Sequence, residues 1–161
     1  MTDTRHVLSI LVANNAGVLG RITGLFSRRG YNIDSLSVGT TEDSSYSRIT
    51  VSLRGDDRVI EQILRQVAKL VDVVDVKELA PENAIFRELC FIKSEAGAAE
   101  RHDIFNVASV FRANIVDVTT DTITVEMTGD VNKIDAFIEL MNPYGILEIV
   151  RTGLTGISRG K

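Results

Sequence analysis

The chain of 161 residues is 44% hydrophobic and carries 22 acidic against 18 basic side chains, for a formal charge of −4. That apolar content suffices for one ordinary core or two small ones and excludes a wholly disordered chain. The acidic balance, with no run of lysine or arginine beyond the pair Arg28-Arg29, argues against the basic footprint that sequence-independent nucleic-acid binding needs.

Val7 to Ala13 (VLSILVA) is a short, almost continuously apolar run, and reads as a strand flanked by strands on both sides. It is too short to span a bilayer, and no signal-peptide pattern follows it, so the chain reads as cytosolic. After Asn14-Asn15-Ala16-Gly17, apolar residues at Val18, Leu19, Ile22, Leu25 and Phe26 follow helical spacing until Gly30, which predicts a helix over about 17–29. Asn32 to Val38 and Arg48 to Leu53 read as strands. Gly55-Asp56 turns into a second helix with Val59, Ile60, Ile63, Leu64 and Val67 on one face. Asp72 to Leu79 alternates like a half-exposed strand, and Ala80 to Asn83 reads as a linker.

The second half repeats this order, with strands at 86–93, 114–119, 121–127 and 146–151 and helices at 101–111 and 131–141. ITVSLRGD (49–56) returns as ITVEMTGD (123–130), and Asn32-Ile33 returns as Asn114-Ile115, which marks an internal duplication. Each βαββαβ half predicts a ferredoxin-like α+β unit, a four-stranded antiparallel sheet with both helices on one face. The expected domains are 5–80 and 84–161. Halves of about 80 residues are near the lower limit for a self-sufficient core, so packing of sheets or a homodimer is expected.

Catalytic inventory is thin. His6 and His102 have no cysteine or carboxylate at ligand spacing and read as solvated, and Cys90, set in LCFI, reads as a buried small hydrophobe. No nucleophile elbow, phosphate loop or zinc pattern is present. Asp56, Asp57, Glu61 and Asp130 open helices, where they complement the dipole. RNA recognition by a sheet of this kind stacks bases on aromatics, and the strands ITVSLRG and ITVEMTG have none. The turn before the first helix admits two readings. The free amides of Gly17, Val18 and Leu19 suit a carboxylate, with Asn14 and Asn32 offering neutral polar groups to a zwitterion and Leu19 and Ile33 walling an aliphatic side chain. Alternatively, Asn14 or Asn15 caps the helix and Gly17 relieves crowding.

LVANNAGVLGRITGLFSRRGYNIDSLSVG, the SRITV strand and the ending TGLTGISRG resemble the small regulatory subunit of acetohydroxyacid (acetolactate) synthase over essentially the whole chain. The block N-x-x-G-x-L-x-R-x-x-G-L-F-x-R-R-G-[YF]-N-I is specific to that family, whereas N-x-x-G-x-L alone indicates only an amino-acid-binding ACT domain. The resemblance implies an N-terminal ACT domain, an ACT-like second half, and a homodimer through the first domain. Valine would lie between Asn14, Gly17, Val18 and Leu19 of one chain and Asn32 and Ile33 of the other. The counterpart turn Ser94-Glu95-Ala96-Gly97 lacks the asparagine pair. The family further implies no catalysis by this chain. Its partner would be a large subunit holding thiamine diphosphate, Mg and FAD, activated by the small subunit and inhibited through it by valine, with no nucleic acid or membrane involved. A free-standing amino-acid sensor is the competing reading.

Overall fold

Thr4–Ala13 (β1) has Leu8, Ile10 and Val12 fully buried, and Val7 and Ser9 on the opposite face are buried as well. The computed structural model describes residues 4–160. In it β1 lies between β3 (Tyr46–Gly55) and β4 (Val73–Glu78), with β2 (Ile33–Thr40) outside β3, and all pairs are antiparallel. This is the flanked strand that its apolar run predicts. Helices α1 (Val18–Arg28) and α2 (Asp57–Val67) cover one face, burying Val18, Ile22 and Phe26 and Ile60, Ile63 and Val67. Asp56 caps α2 by accepting from the Val59 amide (2.9 Å), as its position before an apolar periodic run requires.

The second sheet repeats the arrangement as β6 (Asn114–Val118), β7 (Thr122–Gly129), β5 (Ala84–Glu95) and β8 (Ile146–Arg151), in that order. Helices α3 (Ala98–Val110) and α4 (Val131–Met141) pack on it around Cys90, Ile92, Ile104, Ile134 and Phe137. Helix α3 starts three residues before the expected 101, because the turn at Gly97 leads directly into Ala98-Ala99.

The duplication extends to the irregularities. β1 and β4 slip register between Leu11 and Val12, and β5 and β8 between Lys93 and Ser94; β2 and β3 slip between Ile33 and Ser35, and β6 and β7 between Ile115 and Asp117. Both sets of equivalents lie 82 positions apart (93 less 11, 115 less 33), so the bulges are inherited features of the unit.

The described residues divide into two compact units, 4–86 with 153–160, and 87–152. The tail, residues 153–160, packs with the first unit. Its short strand β9 (Thr155–Ser158) also pairs with β5, so the second sheet has five strands where four were expected. The physical reason lies on the helix-free face of the first sheet. There Ser37 faces Thr50, which faces Ser9, and Ser35 faces Ser52. Such small side chains let another backbone lie close. The Leu154 amide donates to Ser35 Oγ (3.3 Å) and Ser37 Oγ donates to Leu154 O (3.3 Å), while the Leu154 side chain is buried. Gly153 has φ +79°, and a Cβ there would sit 2.5 Å from Ser35 Cβ, so the tail's approach depends on glycine. Arg159 closes the run, its amide donating to Asn83 O (2.7 Å) and its Nε to Ala84 O (3.2 Å).

Candidate functional site

The turn between β1 and α1 is built on Gly17, the N-cap residue, whose φ of +82° is left-handed and whose side chain is absent by necessity. Neither Asn14 nor Asn15 caps the helix. Alone among the four described α-helices, α1 has neither a side-chain cap nor an acidic residue in its first turn: α2 and α4 have Asp56 and Asp130, and α3 has Glu100. The dipole's positive end is therefore uncompensated. The Val18 amide leans on Asn15 O at 3.4 Å, whereas the amides of Leu19 and Gly20 find no acceptor among the described residues. Val18 itself is core, 3% exposed, and can offer a ligand only backbone, while Leu19 is exposed. Sequence reasoning missed Gly20 and also Arg21, whose guanidinium lies over Gly17 while its Nε donates to Asp72 Oδ2 (2.7 Å). The Asp72 hydrogen bond holds Arg21 above the ordinary arginine value.

Asn14 is already engaged. Its Nδ2 donates to Ser44 O (2.9 Å), Ser47 Oγ donates to its Oδ1 (3.1 Å), and its amide donates to Ser45 O (2.8 Å), so it holds the loop between β2 and β3 beneath the turn. Asn32 and Ile33 stand elsewhere. Ala13 pairs with Tyr46 at one end of β3 and Ile33 with Leu53 at the other, seven residues along, about 23 Å at strand rise. One chain thus does not assemble the six residues that the sequence grouped into a single pocket. It places them in two groups at opposite ends of the first sheet. Asn32, exposed, lines a cavity of about 410 Å³ with Tyr31, Asp34, Arg54 and Val59, and Ile33 packs half-buried against the core. Asp34 and Arg54, in ion contact at 3.5 Å, carried no signal in the sequence beyond being charged.

The description "AHAS small subunit-like ACT domain" matches residues 8–75, and "Small subunit of acetolactate synthase" matches residues 87–160. A probable acetolactate synthase small subunit from Methanothermobacter thermautotrophicus is 48% identical over 161 residues, covering 99% of this chain and 96% of that one. The chain belongs to the acetolactate synthase small-subunit family. The Bacillus subtilis acetolactate synthase small subunit is 45% identical over 97% of this chain and 91% of its own. The crystal structure of the Thermotoga maritima acetolactate synthase small subunit superposes with a TM-score of 0.92 at 39% identity, covering 98% of this chain and 99% of that one.

Within this small-subunit fold the second unit rebuilds the turn differently. Ala96 donates its amide to Asp121 O (2.9 Å) as Asn14 does to Ser45 O, so the two positions correspond, and Ala96 has no amide side chain with which to hold the loop. Arg101 does so from α3, donating to Ala96 O (3.3 Å), Thr119 O and Thr120 O (2.6 Å). Its equivalent in α1 is Arg21, since both donate their amides to the N-cap glycine carbonyl. The loss of Asn14 in the second copy is thus a transfer of a structural task.

His6, Cys90 and the Glu88–Arg151 pair serve the fold. His6, expected to be solvated, is 7% exposed, with Nδ1 2.6 Å from Glu78 Oε1 and Nε2 3.2 Å from Gly55 O, a latch between β1, β3 and β4. Cys90 is buried, and burial pushes its thiol up, away from nucleophilic character. Glu88, buried, accepts from Arg151 through Nε (2.6 Å) and Nη2 (3.0 Å), and Arg151 Nη1 donates to Asp135 (2.8 Å). Glu88, then Asp135, hold Arg151 above its ordinary value. Among the described residues no group of three His, Cys, Asp or Glu side chains could hold a metal ion, and no helix is long and apolar enough to cross a membrane.

Proposed function

We propose that this chain is a regulatory subunit that activates the catalytic large subunit of acetolactate synthase and renders it inhibitable by valine. The observation that supports the reading is that the free start of α1 and the cavity beside Asn32 stand at opposite ends of one exposed edge. The uncompensated start of α1 suits a carboxylate, and Asn32 with its cavity suits the remainder of an amino acid. Two copies related by a two-fold axis perpendicular to α1 and β2 would bring each start of α1 to the partner's Asn32, because an isologous contact joins i to j and j to i. β2 is an edge strand, Val38 on it is exposed, and Gly20 on α1 has open space where a Cβ would stand, so the edge is free to be paired.

Regulation then follows by linkage. Binding of the chain favours the active state of the large subunit, which would hold the thiamine diphosphate, Mg and FAD. Valine inhibits to the extent that it binds more tightly to a complex in another state. A tenfold fall in activity requires about 1.4 kcal/mol of such preference. The test is acetolactate formation by the cognate large subunit, with and without this chain, across a valine titration. Stimulation that valine reverses is expected. Stimulation without any valine response overturns the effector reading, and valine binding without stimulation points to a free-standing sensor.

A further inference from the structure

We propose that Asp34, in the cavity beside Asn32, recognises the ammonium group of the effector and restricts the site to α-amino acids. This rests on the effector reading above. A zwitterion needs an anion receptor at one end and an acceptor at the other. The start of α1 supplies the first. Asn32 supplies one neutral acceptor oxygen, whereas an ammonium group has three donors. Among the residues lining the cavity, Asp34 is the one with a carboxylate, and an ionised acceptor forms hydrogen bonds about twice as strong as a neutral one.

The geometry leaves Asp34 available. It sits at the register slip between Ile33 and Ser35, so it has no pairing partner on β3, and a bulge of this kind re-aims a side chain. Its shortest contact with Arg54 is Nε to Oδ2 at 3.5 Å, with the Arg54 side chain half-exposed. The buried Glu88–Arg151 pair, bidentate at 2.6 and 3.0 Å, shows what a locked carboxylate looks like in the same protein. An incoming ammonium can share or displace so loose a partner. The second unit provides an internal control. Its equivalent bulge, between Ile115 and Asp117, carries Val116, an exposed apolar residue, in the copy that also lacks the asparagine of the turn.

The test is isothermal titration calorimetry of the full chain with valine and with 3-methylbutanoate, the same carboxylate and side chain without the amine. The wild-type chain is expected to prefer valine by at least about tenfold. Asp34→Asn should narrow that preference by roughly five- to tenfold, through loss of valine affinity alone, because a general loosening of the fold would weaken both ligands together. Asp34→Glu should restore part of the preference, and Arg54→Gln should retain it. A wild-type preference in Asp34→Asn overturns the assignment while leaving the effector site standing. No valine binding by the wild-type chain overturns both.

Discussion

Replacing Gly153 by alanine tests the attachment of the tail to the first unit. The residue has φ +79°, a conformation that costs an L-residue about 1–2 kcal/mol. The new Cβ would also lie 2.5 Å from Ser35 Cβ and 2.9 Å from Ser35 Oγ, inside any ordinary contact, so strain alone does not exhaust the cost. The alternative is release of the tail. That exposes Leu154, now 6% exposed, at about 1.5–3 kcal/mol, and breaks its two hydrogen bonds to Ser35 and Ser37, offset by the regained freedom of the freed residues. Whichever is cheaper sets the loss, about 2 kcal/mol, which for a chain of this length lowers the Tm by about 4–8 °C. Amide hydrogen exchange discriminates between the two outcomes, since release removes protection of the Leu154 amide, while strained retention keeps it. Unchanged Tm together with unchanged Leu154 protection would show that the glycine is not what allows the tail to lie on the serine face.

Asn14→Ala removes two side-chain hydrogen bonds from the loop between β2 and β3, at about 1–2 kcal/mol. In the large-subunit assay it should weaken valine inhibition while leaving most of the stimulation. Arg151→Met strands the buried Glu88 carboxylate and should cost about 3–5 kcal/mol in chemical denaturation, much of it recovered in the double variant Glu88→Gln/Arg151→Met. Because Arg151 titrates above its ordinary value in the folded chain, the sign of the linkage makes its contribution fully present below that ordinary value. It is lost only as pH rises past the elevated one, so the cost of Arg151→Met should not vary through arginine titration between about pH 6 and 9. Cys90 should resist Ellman's reagent in the native chain at about pH 8 and react as one thiol in guanidinium, and rapid native labelling would contradict its burial.

The elements were legible because helix and strand periodicity is imposed by the local chain. VLSILVA made a central strand, Asp56 and Asp130 made caps, and ITVSLRGD repeated as ITVEMTGD made equivalent strands in two units of one α+β fold. The sequence by itself also carried the family, through a block whose glycines and asparagines follow one another closely along the chain. What it left undecided were matters of distance. Asn14 reads as a ligand group or as a cap, and only the folded loop shows its side chain bonded to Ser44 and Ser47. Asn14 and Asn32 look like a pair at the end of one strand and the start of the next in sequence, but the pairing of β1 and β2 with β3 puts them at opposite ends of the sheet. The tail looks like an extension of the second half. Its attachment to Ser35 and Ser37 lies more than a hundred residues back in the chain, made by serines and glycines that serve just as readily in any turn, so no local pattern records it.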